Sequence, residues 1–372
     1  MPPTRRSLAL LTCSLAAWGG ASCRSATKQT LKLGVLRPWH ADTVLVAGST
    51  TGQLLGPIQV VRWGGDTLLL SDAVTNRLFF VDVHSWKTTL VLDHYFRPAA
   101  PAQLARVGRS EMLVGIYPAE LDQVDISNGT LVRIQVPLSG WGERRVGAFA
   151  LGPDGNVVMI PWSAGRLWAT LASTDTATTG FVQFAPKDGH VVRRFGRPIS
   201  GHSSRRGASL EHLSKIAGWR GDSMVVANLY DGAIDLYLPG DTAPARRFSL
   251  PMGFLPQPTV EPVPPNRTVH AQFQLRDAVI LGERLLVLRN LDYHWTHRNP
   301  LLHVPGAWIA MPALELYTFD GHRVSGTPLP ATSDPRGIVP TGTSHEVYVF
   351  SAGTGDDPKF PILIRFTIPD AL

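Results

Sequence analysis

The chain has 372 residues, of which 44% are hydrophobic and 17% charged, with 35 Gly, 30 Pro and a formal net charge of +6. Charge below the roughly 25% of an average domain, together with abundant turn formers, excludes a surface-rich helical bundle and a disordered chain. The mild arginine excess is no nucleic-acid footprint, so no nucleic-acid partner is expected.

The opening, MPPTRRSLALLTCSLAAWGGASC, sets Arg5 and Arg6 before an apolar stretch from Leu8 to Trp18 and small residues before Cys23. That is the layout of a secretory leader over 1–22, too short for a membrane span. Gly20-Ala21-Ser22-Cys23 resembles a bacterial lipobox, with Gly20 where leucine is usual. The resemblance implies cleavage and acylation at Cys23, hence a cell-envelope lipoprotein, periplasmic or outer-membrane-associated, that meets the membrane only through its anchor. Ordinary cleavage to a soluble periplasmic protein is the alternative. Cys13 and Cys23 are the only cysteines, so the exported domain must hold itself together without an internal disulfide. Residues 23–30 read as a short tether and 31–372 as one domain, expected to be a monomer.

From Leu68 the sequence runs LLLSDAVTNRLFFVD, two apolar strands around a polar turn, and this phrase returns. Alternating strands with Asn-Gly or Asp-Gly tips recur as RLFFVDVHSWKTTLVL, ELDQVDISNGTLVRIQV, GFVQFAPKDGHVVRRFG, AIDLYLPGDTAPARRFSL, LELYTFDGHRVSGTPL and ILIRFTIPD. Each follows a second strand pair, as in QVVRWGGDTLLLSD and KIAGWRGDSMVVANLY. Units of four strands therefore start near Pro57, Pro101, Val146, Leu213, Arg276 and Arg336. The first spacings match the roughly 45-residue period of a β-propeller blade, and the later ones are longer by insertion.

The sixth unit runs out at Leu372 after its third strand, so LKLGVL or TVLVAG, between Leu31 and Ala47, is expected to pair there and close the ring. An open outer edge would otherwise template aggregation. The fold class is thus all-β, a six-bladed β-propeller of four-stranded antiparallel blades; a pair of β-sandwiches is the competing arrangement. LSDAVTNRLFFVD resembles the repeat of NHL-type and related extracellular six-bladed propellers, a likeness of pattern that implies fold and hardly any function.

In such a blade the 1-to-2 and 3-to-4 turns share one end, and the 2-to-3 and 4-to-next-1 connections share the other. The first class is tight throughout; the long segments all fall in the second. That end is therefore the expected ligand or partner surface. Its richest insertion, Asp292 to Ala313, carries His294, Trp295, His297, His303 and Trp308. His294, His297 and His303 could be read as imidazole ligands for zinc or copper, but their spacing matches no zinc signature, so no metal and no cofactor are expected. Arg144, Arg145, Arg205, Arg206 and Arg336 fall in 4-to-1 connections, where they would favour an anionic ligand or an acidic protein loop. Asp356 and Asp357 sit in the sixth unit's insertion. Asp72 and Asn228, which end second strands, are expected to brace loop backbone.

Six-bladed propellers include gluconolactonase-like hydrolases, which hold calcium with Glu, Asn and Asp of the innermost strands. Here only Asp277 opens a first strand with a suitable oxygen, so that activity is not implied. No GxSxG, HExxH or phosphate loop is present. The leading reading is an exported propeller that binds a ligand or envelope protein at its long-loop end. The alternative is a hydrolase or lyase at the same mouth, using His202, His294, His297, Asp356 or Asp357.

Overall fold

The structure, a computed structural model, describes residues 38–46, 57–72, 77–92, 101–116, 120–128, 130–134, 144–145, 148–160, 162–163, 179–198, 214–251, 259–263, 266–270, 274–296, 307–329, 335–351 and 361–369. Six four-stranded antiparallel sheets form a ring, a six-bladed β-propeller.

Blade 1 is Pro57–Gly64, Thr67–Asp72, Arg77–Asp82 and Thr88–Leu92; blade 2 is Pro101–Arg106, Glu111–Ile116, Glu120–Asp125 and Thr130–Ile134. Blade 3 is Phe149–Leu151, Val157–Met159, Thr179–Phe184 and Val191–Pro198, and blade 4 is Ser214–Arg220, Ser223–Asn228, Ala233–Tyr237 and Arg246–Ser249. Blade 5 is Leu275–Leu281, Arg284–Thr296, Ala307–Tyr317 and Arg323–Pro328. Blade 6 takes Pro335–Pro340, Glu346–Ser351 and Pro361–Thr367 from the end of the chain, and its outer strand is His40–Val46 from the beginning.

That last pairing is the expected closure, made by the second of the two proposed segments. His40 lies opposite Thr367 and Val46 opposite Pro361, and Arg365 binds Asp42 across the ladder at 3.0 Å. Trp39, buried at the base of this strand, donates its backbone N–H to Thr327 Oγ1 of blade 5 at 3.1 Å. LKLGVL lies outside the described residues.

Six hydrophobic clusters fill the seams, one between each pair of neighbouring blades. A strand inside a blade feeds both of its seams. Leu68 and Leu70 pack toward blade 6 while Leu69 packs toward blade 2. Second strands are therefore buried on both faces and read as unbroken apolar runs rather than as alternation. The innermost strands neighbour one another in cyclic order around the axis, blade 6 meeting blade 1. Short turns join strands 1 and 2, with Gly65 (φ 51°) and Gly221 (φ 56°) supplying the left-handed backbone that a Cβ would strain.

Candidate functional site

Antiparallel alternation sends the two connection classes to opposite ends of each blade, and one small ladder joins members of the long class directly. Arg144 and Arg145, between blades 2 and 3, pair with Ser163 and Trp162, which follow the second strand of blade 3. A 4-to-1 and a 2-to-3 connection therefore meet at one end of the ring. The connection before blade 5 forms a hairpin of its own, Thr259–Val263 with Asn266–His270.

The insertion of blade 5, read from sequence as a loop, is largely a continuation of its middle strands. The outer partners stop early, Leu275 pairing with Arg289 and Pro328 with Ala313. The two middle strands run on past a bulge between Asn290 and Tyr293 to the pair Thr296 and Ala307. Asn290 Nδ2 donates to the buried Tyr293 hydroxyl at 2.6 Å, fixing the bulge.

Below this hairpin, the seams end in polar groups. The second strands TLLLSD, SMVVAN and EVYVFS close on a buried polar residue, namely Asp72, Asn228 and Ser351, and buried Arg289 holds the equivalent place within the longer second strand of blade 5. Asn228 Oδ1 accepts from the backbone N–H of Tyr230 and Asp231 at 3.0 and 3.1 Å, the loop-bracing role expected of it.

The innermost edges present backbone donors toward the axis, and side chains of preceding blades cover some of them. Gln59 Oε1 of blade 1 accepts from Leu104 N–H of blade 2. The same step between blades 5 and 6 uses a carboxylate: Asp277 Oδ2 accepts from Ile338 N–H at 2.8 Å. Its other oxygen meets Lys215 Nζ of blade 4 at 2.5 Å, so one fully buried carboxylate ties three blades together. Gly337 makes room for it, since a Cβ there would lie 2.8 Å from Asp277 Oδ2. Asp277, the lone candidate ligand oxygen of the innermost strands, is thus occupied as a structural clasp.

The seam between blades 4 and 5 holds a second charged group. Arg289, fully buried, donates to the carbonyl of Pro251, which ends blade 4, and lies 3.4 Å from Glu315. Glu315 also accepts from Tyr317 Oη at 2.6 Å and pairs with Arg323 at 3.0 Å. Burial, then the neighbouring Glu315 charge, push the Tyr317 hydroxyl above the ordinary tyrosine range.

The sequence-derived candidates are only partly brought together. His294 and Trp295 stand on the extended hairpin opposite Ile309 and Trp308. Arg144 and Arg145 lie on the small ladder, and Arg336 is exposed on the first strand of blade 6. Cys23, Arg205, Arg206, His202, His297, His303, Asp356 and Asp357 lie outside the described residues. Among the described residues, no group of three His, Cys, Asp or Glu side chains converges as a metal site. Sequence reasoning passed over Lys215, Arg276, Arg289 and Ser351. The signal available was a polar residue ending an apolar strand, or a cation opening an innermost one.

No protein-family model matches this chain, and no curated protein does. Solved structures do resemble it. Regucalcin of Agrobacterium tumefaciens, described as a calcium-binding protein, is 13% identical over 89% of this chain and 94% of its own, with a TM-score of 0.52. A Bacteroides thetaiotaomicron protein of unknown function is 11% identical over 88% of this chain and 75% of its own, at 0.50. Streptogramin B lyase is 10% identical over 89% and 98%, at 0.48. At these identities the likeness to regucalcin and the Bacteroides protein is one of fold, and it agrees with the blade count and ring seen here.

Proposed function

We propose that this chain is an exported β-propeller, cleaved and acylated at Cys23, which binds a ligand or envelope protein at its long-loop end. The observation that carries the reading is the one-sided build. The 144–145/162–163 ladder, the 259–270 hairpin and the extended middle strands of blade 5 all stand at the end where the long connections emerge. Scaffolds that concentrate added chain on one rim use that rim for recognition.

The calcium binding named for regucalcin does not carry over on the residues present. Calcium takes about 6–8 oxygen ligands. Asp277 already satisfies an ammonium and a backbone donor, and no second carboxylate opens an innermost strand among the described residues.

Two measurements test the proposal. Labelled palmitate is expected to enter the wild type and not Cys23→Ala; equal labelling, or none in either, overturns the anchor. Photocrosslinking residues are then placed at 268 and 309 on the long-loop end and at 85 and 343 on the tight-turn end. Discrete adducts from the first pair alone are expected, and adducts from the second pair alone would move the recognition surface to the other end.

A further inference from the structure

We propose that the seam between blades 4 and 5 binds an internal water, which accepts from Arg289 Nε–H and donates to Gln274 Oε1, and that this water fastens the roots of the connection carrying the 259–270 hairpin. The site stands on the geometry of the seam. Its use, holding a recognition element in place, rests on the reading of the long-loop end given above.

Two buried polar atoms of opposite kind mark the site. Arg289 Nε is a donor and Gln274 Oε1 an acceptor; the residues are 0% and 2% exposed, and neither atom meets a hydrogen-bond partner among the described residues. No direct bond therefore joins the two. Both are aimed at one corner of blade 4. Arg289 Nη2 donates to the Pro251 carbonyl, and Nε–H leaves the planar guanidinium on the same side as Nη2. Gln274 Oε1 reaches over Gly232, where a Cβ would lie 2.6 Å from it. Gly232 and the Pro251 segment are themselves joined, since the Gly232 carbonyl accepts from Leu250 N–H at 3.2 Å. A donor and an acceptor that converge on one buried corner without meeting are satisfied together by an ordered water, which takes about two to four such partners.

What the corner supports follows from chain order. Pro251 closes blade 4 and Gln274 precedes the first strand of blade 5, so these two residues bracket the connection that holds the Thr259–Val263 and Asn266–His270 hairpin. The returning root is tied by backbone, Leu275 N–H donating to the Leu229 carbonyl at 2.9 Å and Asn290 N–H to the Gln274 carbonyl at 2.8 Å. Arg289 holds the departing root through Pro251, and its other terminal nitrogen, Nη1, is fixed by the Tyr317 hydroxyl and by Glu315. The water adds a tie from this same arginine to the side chain of the returning root. An apolar filler could not replace it, because a guanidinium N–H and an amide carbonyl would both stay buried without a bond.

Two water-directed measurements on the mature protein test this. With arginine labelled in nitrogen-15, water-selective NOE spectra should show a peak at the buried Arg289 Nε–H with the sign of a long-lived water. Oxygen-17 relaxation dispersion should then count a single long-lived water fewer in Gln274→Met than in the wild type. Gln59→Met, which removes an Oε1 already bonded to Leu104 N–H, should leave the count unchanged. Should Gln274→Met fail to fold, the wild-type Nε–H peak decides alone. Absence of that peak, or an unchanged count in Gln274→Met, overturns the inference. Crosslinking from 268 is expected to fall several-fold in Gln274→Met, and undiminished crosslinking with the water lost overturns the fastening role. No adduct from 268 in the wild type sinks the recognition reading and leaves the water site to its two spectra.

Discussion

The two ends of the ring are finished differently. At the tight-turn end the seams close on aromatic rings, with Arg106 over Trp63 at 5.1 Å and Arg220 over Phe319 at 4.6 Å. The turns there satisfy themselves: Asp82 accepts from Ser85 N–H at 2.7 Å, Asp125 from Ser127 at 2.9 Å and Asp188 from His190 at 2.9 Å. Those turn contacts are local, each within three residues along the chain. At the long-loop end the seams finish in Asp72, Asn228, Arg289 and Ser351, and a charged clasp bridges three blades. Burying such groups costs free energy unless each finds a partner, so that end depends on pairings made across the ring. The contrast teaches where mutation hurts most, and where added chain can be presented.

The largest effect should come from the seam between blades 4 and 5. Glu315→Ala leaves Arg289 buried beside Tyr317 without its counter-ion, and is expected to cost about 3–5 kcal/mol in guanidinium unfolding. Replacing both partners by apolar residues, Arg289→Met with Glu315→Leu, should cost far less; an equal cost would show that the pair contributes net stability. Next comes the clasp. Asp277→Ala removes charged hydrogen bonds to Lys215 and Ile338 and should cost about 2–3 kcal/mol, whereas the neutral equivalent Gln59→Ala should cost about 1 kcal/mol. Matching values for these two would erase the difference between charged and neutral seams.

Gly337→Ala sharpens the same point, since its Cβ would press on the Phe350 ring and Asp277, for about 1–3 kcal/mol of overpacking strain. A smaller effect belongs to Tyr317. Its folded-state pKa is raised, so its contribution is complete below the ordinary tyrosine value and is lost as pH climbs through the folded one. Absorbance titration at high pH should find one tyrosine ionising only as the protein unfolds. The smallest belongs to the tight-turn end, where His84 meets Asp66 at 2.9 Å, a hydrogen bond that raises the imidazole pKa. That contact adds stability below the ordinary histidine value and loses it as pH rises past the folded one. Proton NMR should show Asp66→Asn returning His84 to the ordinary range; an unchanged titration would remove the contact from the account.

Most of the fold was legible because it is written locally. Hairpin turns, paired apolar runs and a sixth unit lacking its outer strand suffice to count blades and to demand a strand such as Thr43–Val46 for closure. The extension of blade 5 was not legible, because Asp292, His294 and Pro312 read as loop residues when their cross-strand partners are unknown. Asn228 was read correctly, since its bonds reach only two and three residues ahead. Asp277 was noticed for its oxygens, but nothing nearby in sequence announces Lys215 as the group that fills them.

The sequence by itself determined the six four-stranded blades, the closing strand and the gathering of long connections at one end, because period-two hydrophobicity and short turns act between neighbours along the chain. Tertiary structure alone decided which buried charge meets which. Lys215, Asp277 and Ile338 sit on three different blades, and only closing the ring brings ammonium, carboxylate and backbone donor within hydrogen-bonding distance.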